Sequence, residues 1–163
     1  MSVIALREPA HLVSERARLY WTVRALPAWL AIAVLETTVL LATDARPAVV
    51  VPLVVVTAAL ALTRLVVMPQ WRFRVHRWEI TDTAVYTQTG WLTQQRRIAP
   101  LARVQTVDTR RGPFEQLFGL ADVTVTTASA KGPISIHALD SAVAEHVVQW
   151  LTERAQASTG DGT

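Results

Sequence analysis

The chain has 163 residues, of which 51% are hydrophobic and only 18% are charged. Soluble domains carry about 25% charged residues, so this composition excludes general disorder and indicates that part of the chain is not solvated by water. The sequence contains no cysteine, which excludes disulfides, thiol nucleophiles and cysteine-ligated metal sites. The formal charge of +3 is too balanced to indicate a nucleic-acid-binding protein.

Two long apolar runs in the first half predict a transmembrane helical hairpin. Ala25–Thr43 contains one ionisable side chain, Glu36, and Pro47–Met68 contains one, Arg64. A helix needs about 20 apolar residues to cross roughly 30 Å of hydrocarbon, and both runs are long enough. Two buried helices of a soluble protein are the alternative. The short connection between the runs favours the hairpin.

Arginines are concentrated on one side of the hairpin, whereas the connecting turn has one arginine and one aspartate. They are Arg7, Arg16, Arg18 and Arg24 before the first run, and Arg72, Arg74 and Arg77 after the second. The positive-inside rule therefore predicts that both termini lie in the cytoplasm. Basic residues beside a membrane attract anionic lipid at about 1 kcal/mol each. We therefore predict lipid-headgroup contacts by Arg72, Arg74 and Arg77. The alternative is that these three residues serve only topology and solubility.

Glu36 is the one carboxyl inside the apolar runs. At 1.5 Å per residue it lies about 10 Å from the outer turn, whereas Arg64 lies about 25 Å from it, so the two are not expected to pair. An intramembrane carboxyl indicates a functional or partner contact. The alternative is a protonated side chain bonded to a nearby backbone group or to Thr37 or Thr38.

The second half of the chain has the periodicity of a β domain closed by a helix. Alternation of apolar and polar residues predicts a first strand at Trp71–Val75 that continues, after a bulge near His76–Arg77, through Trp78 and Ile80. Further strands are predicted at Ala84–Thr89, Trp91–Ile98, Val104–Thr109, Ala121–Thr127 and Ile134–Ile136. Between them, the segment GPFEQLFG predicts a short helical turn in which Phe114, Leu117 and Phe118 plug the core. An apolar stripe at Val143, Val147, Trp150 and Leu151 predicts a final amphipathic helix.

Six or seven strands followed by one amphipathic helix are typical of a pleckstrin-homology-like domain. The chain resembles the bacterial PH-domain membrane proteins of the YdbS-like type in WEITDTAVYTQTGWLTQQRRIAPLARVQTV, GPFEQLFGLADVTVTTA and ISIHAL. The expected fold is a two-helix transmembrane hairpin, then a mainly-β PH-like domain with a bent sheet and a C-terminal amphipathic helix. The expected divisions are a cytoplasmic segment 1–24, the hairpin 25–69, the PH-like domain 70–157 and a flexible tail 158–163. The resemblance also implies a bacterial inner-membrane location.

Nothing in the sequence indicates catalysis, a cofactor or a metal site. The four histidines lack metal-ligand spacing, and His76 and His137 are expected to be exposed. Ser135, His137 and Asp140 could be taken for a hydrolytic triad, but neighbours at one strand end rarely converge as a triad does. There is no glycine-rich phosphate loop.

Two functional hypotheses remain. The favoured one is a non-enzymatic, membrane-anchored binding or scaffold protein whose PH-like domain docks a partner protein, or a second copy, at the cytoplasmic face. The alternative is an accessory subunit of a transporter or membrane enzyme that contacts its complex through Glu36. Both include contact with anionic lipid and neither includes nucleic acid.

Overall fold

The fold combines a pair of long apolar helices with a β domain closed by a C-terminal helix. The computed structural model describes residues 8–43, 46–129 and 131–160, without the side chains of 155–160. The helices are α1 (Arg16–Ala42), α2 (Pro47–Leu62), α3 (Met68–Val75), α4 (Pro113–Leu117) and α5 (Ser141–Gly160). A π-helical segment, Thr63–Val67, joins α2 to α3, so that Pro47–Val75 is one continuous helix.

Both long helices are long and apolar enough to cross a membrane, as predicted. The most apolar window of each helix is wholly unburied by the rest of the chain. Soluble monomers rarely expose apolar patches larger than a few hundred Å², so the two helices are not the buried core helices of a soluble protein.

The prediction of a strand at Trp71–Val75 is wrong, because α3 runs through it. Five alternating residues are too few to separate a strand from a helix, and Trp71 and Val75 are also neighbours four apart on a helix. Extending an existing helix adds one hydrogen bond per residue without a new nucleation cost. The helix ends where His76 becomes extended and its N–H bonds the carbonyl of Arg72 at 2.9 Å.

Within the described residues, seven strands form two antiparallel sheets. One sheet has the order β1 (His11–Leu12), β2 (Arg77–Ile80), β3 (Ala84–Thr89) and β4 (Gln95–Pro100); the other has β5 (Val104–Arg110), β6 (Leu120–Thr127) and β7 (Ile134–Asp140). The fourth strand begins later than predicted. Gly90 has φ +115°, and a Cβ there would lie 1.9 Å from the carbonyl oxygen of Thr93. The chain therefore turns after Gly90, and pairing starts only at Gln95.

The short helix after Gly112 is confirmed, but only part of its side-chain prediction is correct. Phe118 is partly buried and meets the ring of Tyr20 edge to face at 6.1 Å. Leu117 and Phe114, also expected in the core, are 76% and 41% exposed. A single helical turn directs its side chains in different directions, so α4 cannot bury all three residues.

The main core lies between the sheets and α5. Its fully buried centre includes Val85, Val123, Val125, Ala144 and Leu151. Val147 and Leu151, two members of the predicted stripe, are buried as expected. The backbone of α5 continues to Gly160, so the first residues of the predicted tail 158–163 are helical; residues 161–163 lie outside the described residues.

A second core cluster joins the base of the hairpin to the β domain. It contains Val13, Ala17, Tyr20, Trp21, Leu120 and Ala138. The first turns of α1 and the two-residue strand β1 are thus part of the domain, although the sequence places residues 1–24 in a separate segment. The hairpin enters the domain without a flexible linker.

Candidate functional site at the base of the hairpin

Polar contacts hold the start of α1 against two elements of the domain. The hydroxyl of Tyr20 donates to Oε1 of Glu115 at 2.6 Å, and Nη1 of Arg24 donates to the same hydroxyl at 2.9 Å. Closer to the start of the helix, Oγ of Ser14 donates to Oδ1 of Asp140 at 2.9 Å. These bonds orient the domain relative to the hairpin.

His76 lies at the junction of α3 and β2 and is only 4% exposed, so the expectation of an exposed side chain is wrong. Its Nδ1 lies 2.9 Å from the carbonyl of Arg72, and its Nε2 accepts from Nε of Arg72 at 3.2 Å. Burial, reinforced by the charge of Arg72, lowers the pKa of His76 to about 4. The imidazole is therefore neutral near pH 7. The ring centroid of Trp21 lies 5.5 Å away.

A half-buried carboxylate, Asp122, joins β6 to β7. Its Oδ2 lies 2.8 Å from Nδ1 of His137, and its Oδ1 accepts from the backbone N–H of Ala138 at 2.8 Å. Burial favours a raised pKa for Asp122, but the bonds from His137 and Ala138 outweigh it, and the pKa is lowered. Ala138 has φ +57°, a conformation uncommon outside glycine. Asp122 therefore stabilises a strained backbone conformation within β7.

The residues considered for a hydrolytic triad do not converge. Asp140 bonds Ser14 and lies 3.9 Å from Arg16, while His137 pairs with Asp122 instead. In the described parts of the chain, no group of three histidine, cysteine or acidic residues could hold a metal ion.

The three arginines predicted to contact headgroups lie in different surroundings. The guanidinium of Arg72 stacks 4.4 Å from the ring centroid of Trp21. Arg74 is exposed. Arg77 is half-buried, and its Nε lies 3.9 Å from Oε2 of Glu8. Of the three, only Arg74 is exposed, and the side chain of Arg72 is directed toward α1.

Glu36 is half-buried and faces the second helix. Its Oε1 accepts from Oγ1 of Thr57 at 3.4 Å. The hydroxyls of Thr37 and Thr38 donate to the carbonyls four residues before them rather than to Glu36. Among the described ion pairs, none joins Glu36 to Arg64.

Two further features escaped the sequence analysis. One is a cleft of about 500 Å³ between the two long helices at the domain end of the hairpin, lined by Arg24, Arg64 and Arg72; we call it the basal cleft. The other is a groove of about 540 Å³ between β2 and α5, which we call the β2–α5 groove. The hydropathy and charge patterns predict neither the cleft nor the groove, because each is formed by residues that are distant in sequence.

Comparison with known proteins agrees with this architecture. The chain is 30% identical over 101 residues to the UPF0699 transmembrane protein YdbS of Bacillus subtilis (strain 168). The alignment covers 62% of this chain and 62% of that relative, so less than two thirds of the relative is spanned. No solved structure gives a significant match. The family model of the bacterial PH domain matches residues 26–155. The chain is thus a membrane protein that belongs to the bacterial PH domain family.

Proposed function

We propose that this protein is a non-enzymatic, membrane-anchored binding or scaffold protein whose PH-like domain docks a partner protein, or a second copy, at the cytoplasmic face. The observation that carries the proposal is the β2–α5 groove. It is an open apolar surface on a domain that the hairpin holds beside the membrane.

The groove has the composition of a protein-binding surface. Its apolar lining consists of Trp78, Ile80, Val143, Val147 and Trp150. Tryptophan is enriched at the centres of interfaces, where large rings fill pockets from which water is excluded. None of the residues lining the groove belongs to the two long helices, so a partner can reach it without displacing lipid.

Several contacts fix the shape of this groove. Nε1 of Trp78 donates to the carbonyl of Leu12 at 3.3 Å, and the ring of Trp78 packs against His11 at 5.2 Å. At the rim, Nη2 of Arg154 lies 2.9 Å from Oδ1 of Asp82. A preformed surface loses less conformational entropy on binding than a mobile one.

The Val143→Arg variant tests the groove. Val143 is 37% exposed, so arginine can be accommodated in the unbound protein but would place a charge inside an apolar interface. We expect association to weaken by about tenfold or more, the size of effect typical of an interface centre. The measurement uses two differently tagged full-length copies, purified in mild detergent, and quantifies the stoichiometric protein that co-purifies.

Thr152→Arg is the matched control. Thr152 is exposed on α5 and lies nine residues after Val143, about 180° around the helix at 100° per residue. The Thr152→Arg variant adds the same charge to the face of α5 opposite the groove, and we expect it to leave association unchanged. Equal association in the wild type and both variants would contradict docking at the β2–α5 groove.

We further propose that both termini and the domain lie in the cytoplasm of a bacterial cell, with the short connection between α1 and α2 outside. The support is the arginine bias. Arg16, Arg18 and Arg24 on α1 and Arg72 and Arg74 on α3 all lie at the domain end of the hairpin.

Glu36 favours a second candidate, an accessory subunit of a transporter or membrane enzyme. Its hydrogen bond with Thr57 occupies one carboxyl oxygen and leaves the other for a neighbouring chain. We expect Glu36→Leu to insert normally but to weaken association, and Glu36→Gln, which keeps hydrogen-bonding capacity, to retain it. The measurement is the same co-purification. Unchanged association in both variants would leave Glu36 bonded only within its own hairpin.

A further inference from the structure

We propose that the basal cleft is a binding site for an anionic phospholipid, whose phosphate is held by Arg24, Arg64 and Arg72. The inference is independent of whether the β2–α5 groove docks a protein, because the two surfaces share no residue.

The cleft combines positive charge with an apolar wall. Besides the three arginines, it is lined by Trp21, Trp29 and Met68, and no acidic side chain lines it. Within the described residues, none of the three arginines forms an ion pair with a carboxylate. Arg24 does donate to the hydroxyl of Tyr20, but that hydroxyl carries no charge. Three guanidinium groups on one cleft without a direct carboxylate partner favour an anion, and arginine binds phosphate oxygens with charge-assisted hydrogen bonds.

A cross-helix contact shows that Arg24 and Arg64 lie at nearly the same level along the hairpin. Oγ1 of Thr22 donates to the carbonyl of Leu65 at 2.9 Å. Arg24 lies two residues farther from the domain than this contact on α1. Arg64 lies one residue farther from the domain than the contact on the antiparallel helix. Their backbones therefore differ in depth by about 1.5 Å. The backbone of Arg72 lies closer to the domain, but its guanidinium reaches back over Trp21, which is one residue nearer the domain than Thr22.

That level corresponds to the boundary of the hydrocarbon. From Arg24 to the end of α1 at Ala42 the helix rises about 27 Å, close to the roughly 30 Å of a bilayer core. The phosphate layer of the leaflet on the domain side therefore meets the cleft. Glu36 lies about 18 Å deeper than Arg24 along α1 and does not neutralise the cleft.

Local structure distinguishes the roles of two arginines. Arg72 is fixed by Trp21 and by its hydrogen bond to His76, which preorganises one donor group. Arg64 is exposed, and its Nη1 contacts only Sδ of Met68 at 3.1 Å among the described hydrogen bonds. Arg64 lies in the π-helical segment Thr63–Val67. Such bulges inside α-helices frequently mark functional sites.

The apolar wall favours a phospholipid over a free anion. Trp21 and Trp29 lie where aromatic side chains meet the glycerol region of a bilayer, and basic pockets between membrane helices bind anionic headgroups. Inorganic phosphate would use the three arginines but not the tryptophans.

The test measures lipid-dependent stabilisation of the full-length chain in a neutral detergent. Dioctanoyl phosphatidylglycerol, dioctanoyl phosphatidylcholine and inorganic phosphate are titrated separately, and the thermal unfolding midpoint is followed by circular dichroism. We expect a saturable rise with phosphatidylglycerol, none with phosphatidylcholine, and apparent affinity for inorganic phosphate at least tenfold weaker. Arg64→Gln should weaken the phosphatidylglycerol affinity by about five- to tenfold, the effect of losing one arginine near headgroups.

Arg74→Gln is the matched control, because it removes the same charge from the adjoining helix α3 at an exposed position outside the cleft. The headgroup contact predicted for Arg74 needs a bilayer surface, which a single short-chain lipid in detergent does not supply. It should change the affinity less than twofold, and Arg64→Lys should recover part of the binding that Arg64→Gln loses. Equal losses in Arg74→Gln and Arg64→Gln would show general surface attraction and overturn the site. Equal stabilisation by phosphatidylcholine, or by inorganic phosphate, would overturn the assignment to an anionic phospholipid.

Discussion

Acidification from pH 6.5 to pH 4 is expected to destabilise the folded protein by about 3 kcal/mol through His76 alone. Its pKa is about 4 when folded and about 6.5 when unfolded, so within this window the unfolded chain binds a proton that the folded chain does not. Stability therefore rises with pH across the window and is complete above pH 6.5. The cause is the burial of a neutral imidazole beside the cation of Arg72.

The measurement is the free energy of unfolding of the full-length chain in detergent at several pH values between 7 and 4. His76→Gln should flatten the profile in this window, because glutamine can bond the carbonyl and Nε of Arg72 without titrating. His146→Gln, at an exposed position on α5, is the control and should leave the profile unchanged. A wild-type slope retained in His76→Gln would contradict the assignment. The stability that Asp122 contributes is lost as the pH falls through the ordinary pKa of an aspartate, about 3.9, toward its lowered folded pKa, so its effect begins only at the acid end of this window.

Leu151→Ala is expected to lower the free energy of unfolding by about 2–5 kcal/mol, the range for truncating a buried leucine. Leu151 is wholly buried in the main core with Val123 and Val125. The loss combines the transfer free energy of the removed carbons with the cavity left between α5 and the sheet. Thr152→Ala, one residue further on the exposed face, should change stability by less than about 0.5 kcal/mol.

Unfolding monitored by circular dichroism in detergent separates these outcomes. A cooperative loss of the β signal at lower denaturant in Leu151→Ala would show that the helix and the sheets share one core. Equal stability of Leu151→Ala and Thr152→Ala would contradict the packing of α5 described above.

The hairpin and most strands could be predicted because their signals are local. Length and apolarity mark the two long helices, and clean alternation marks β6 at Val123 and Val125. The errors arise where the structure of neighbouring segments outweighs the local alternation of apolar and polar residues. Trp71–Val75 alternates like a strand but extends an existing helix, and β1 has only two residues, too few to carry a period.

The candidate sites were less predictable because they depend on distant pairs. The helical rise per residue predicts that Arg64 lies near the domain end of its helix. It does not predict that Arg64 lies beside Arg24 and Arg72. His76 was expected to be exposed because it was assigned to an alternating strand, whereas it lies at a helix-to-strand junction. Trp78 and Trp150 are assigned correctly to secondary structure, but their shared groove requires the fold.

Photocrosslinking in intact cells tests the docking proposal most directly. A photoreactive amino acid replaces Val143 in the full-length chain, and a second variant carries it at Thr152 as the control. Docking at the β2–α5 groove predicts one discrete crosslinked product from position 143, either a dimer or a heterocomplex of fixed mass, and none from position 152. Monomer alone from position 143 in folded, membrane-inserted protein, or the same products from both positions, would contradict the proposal.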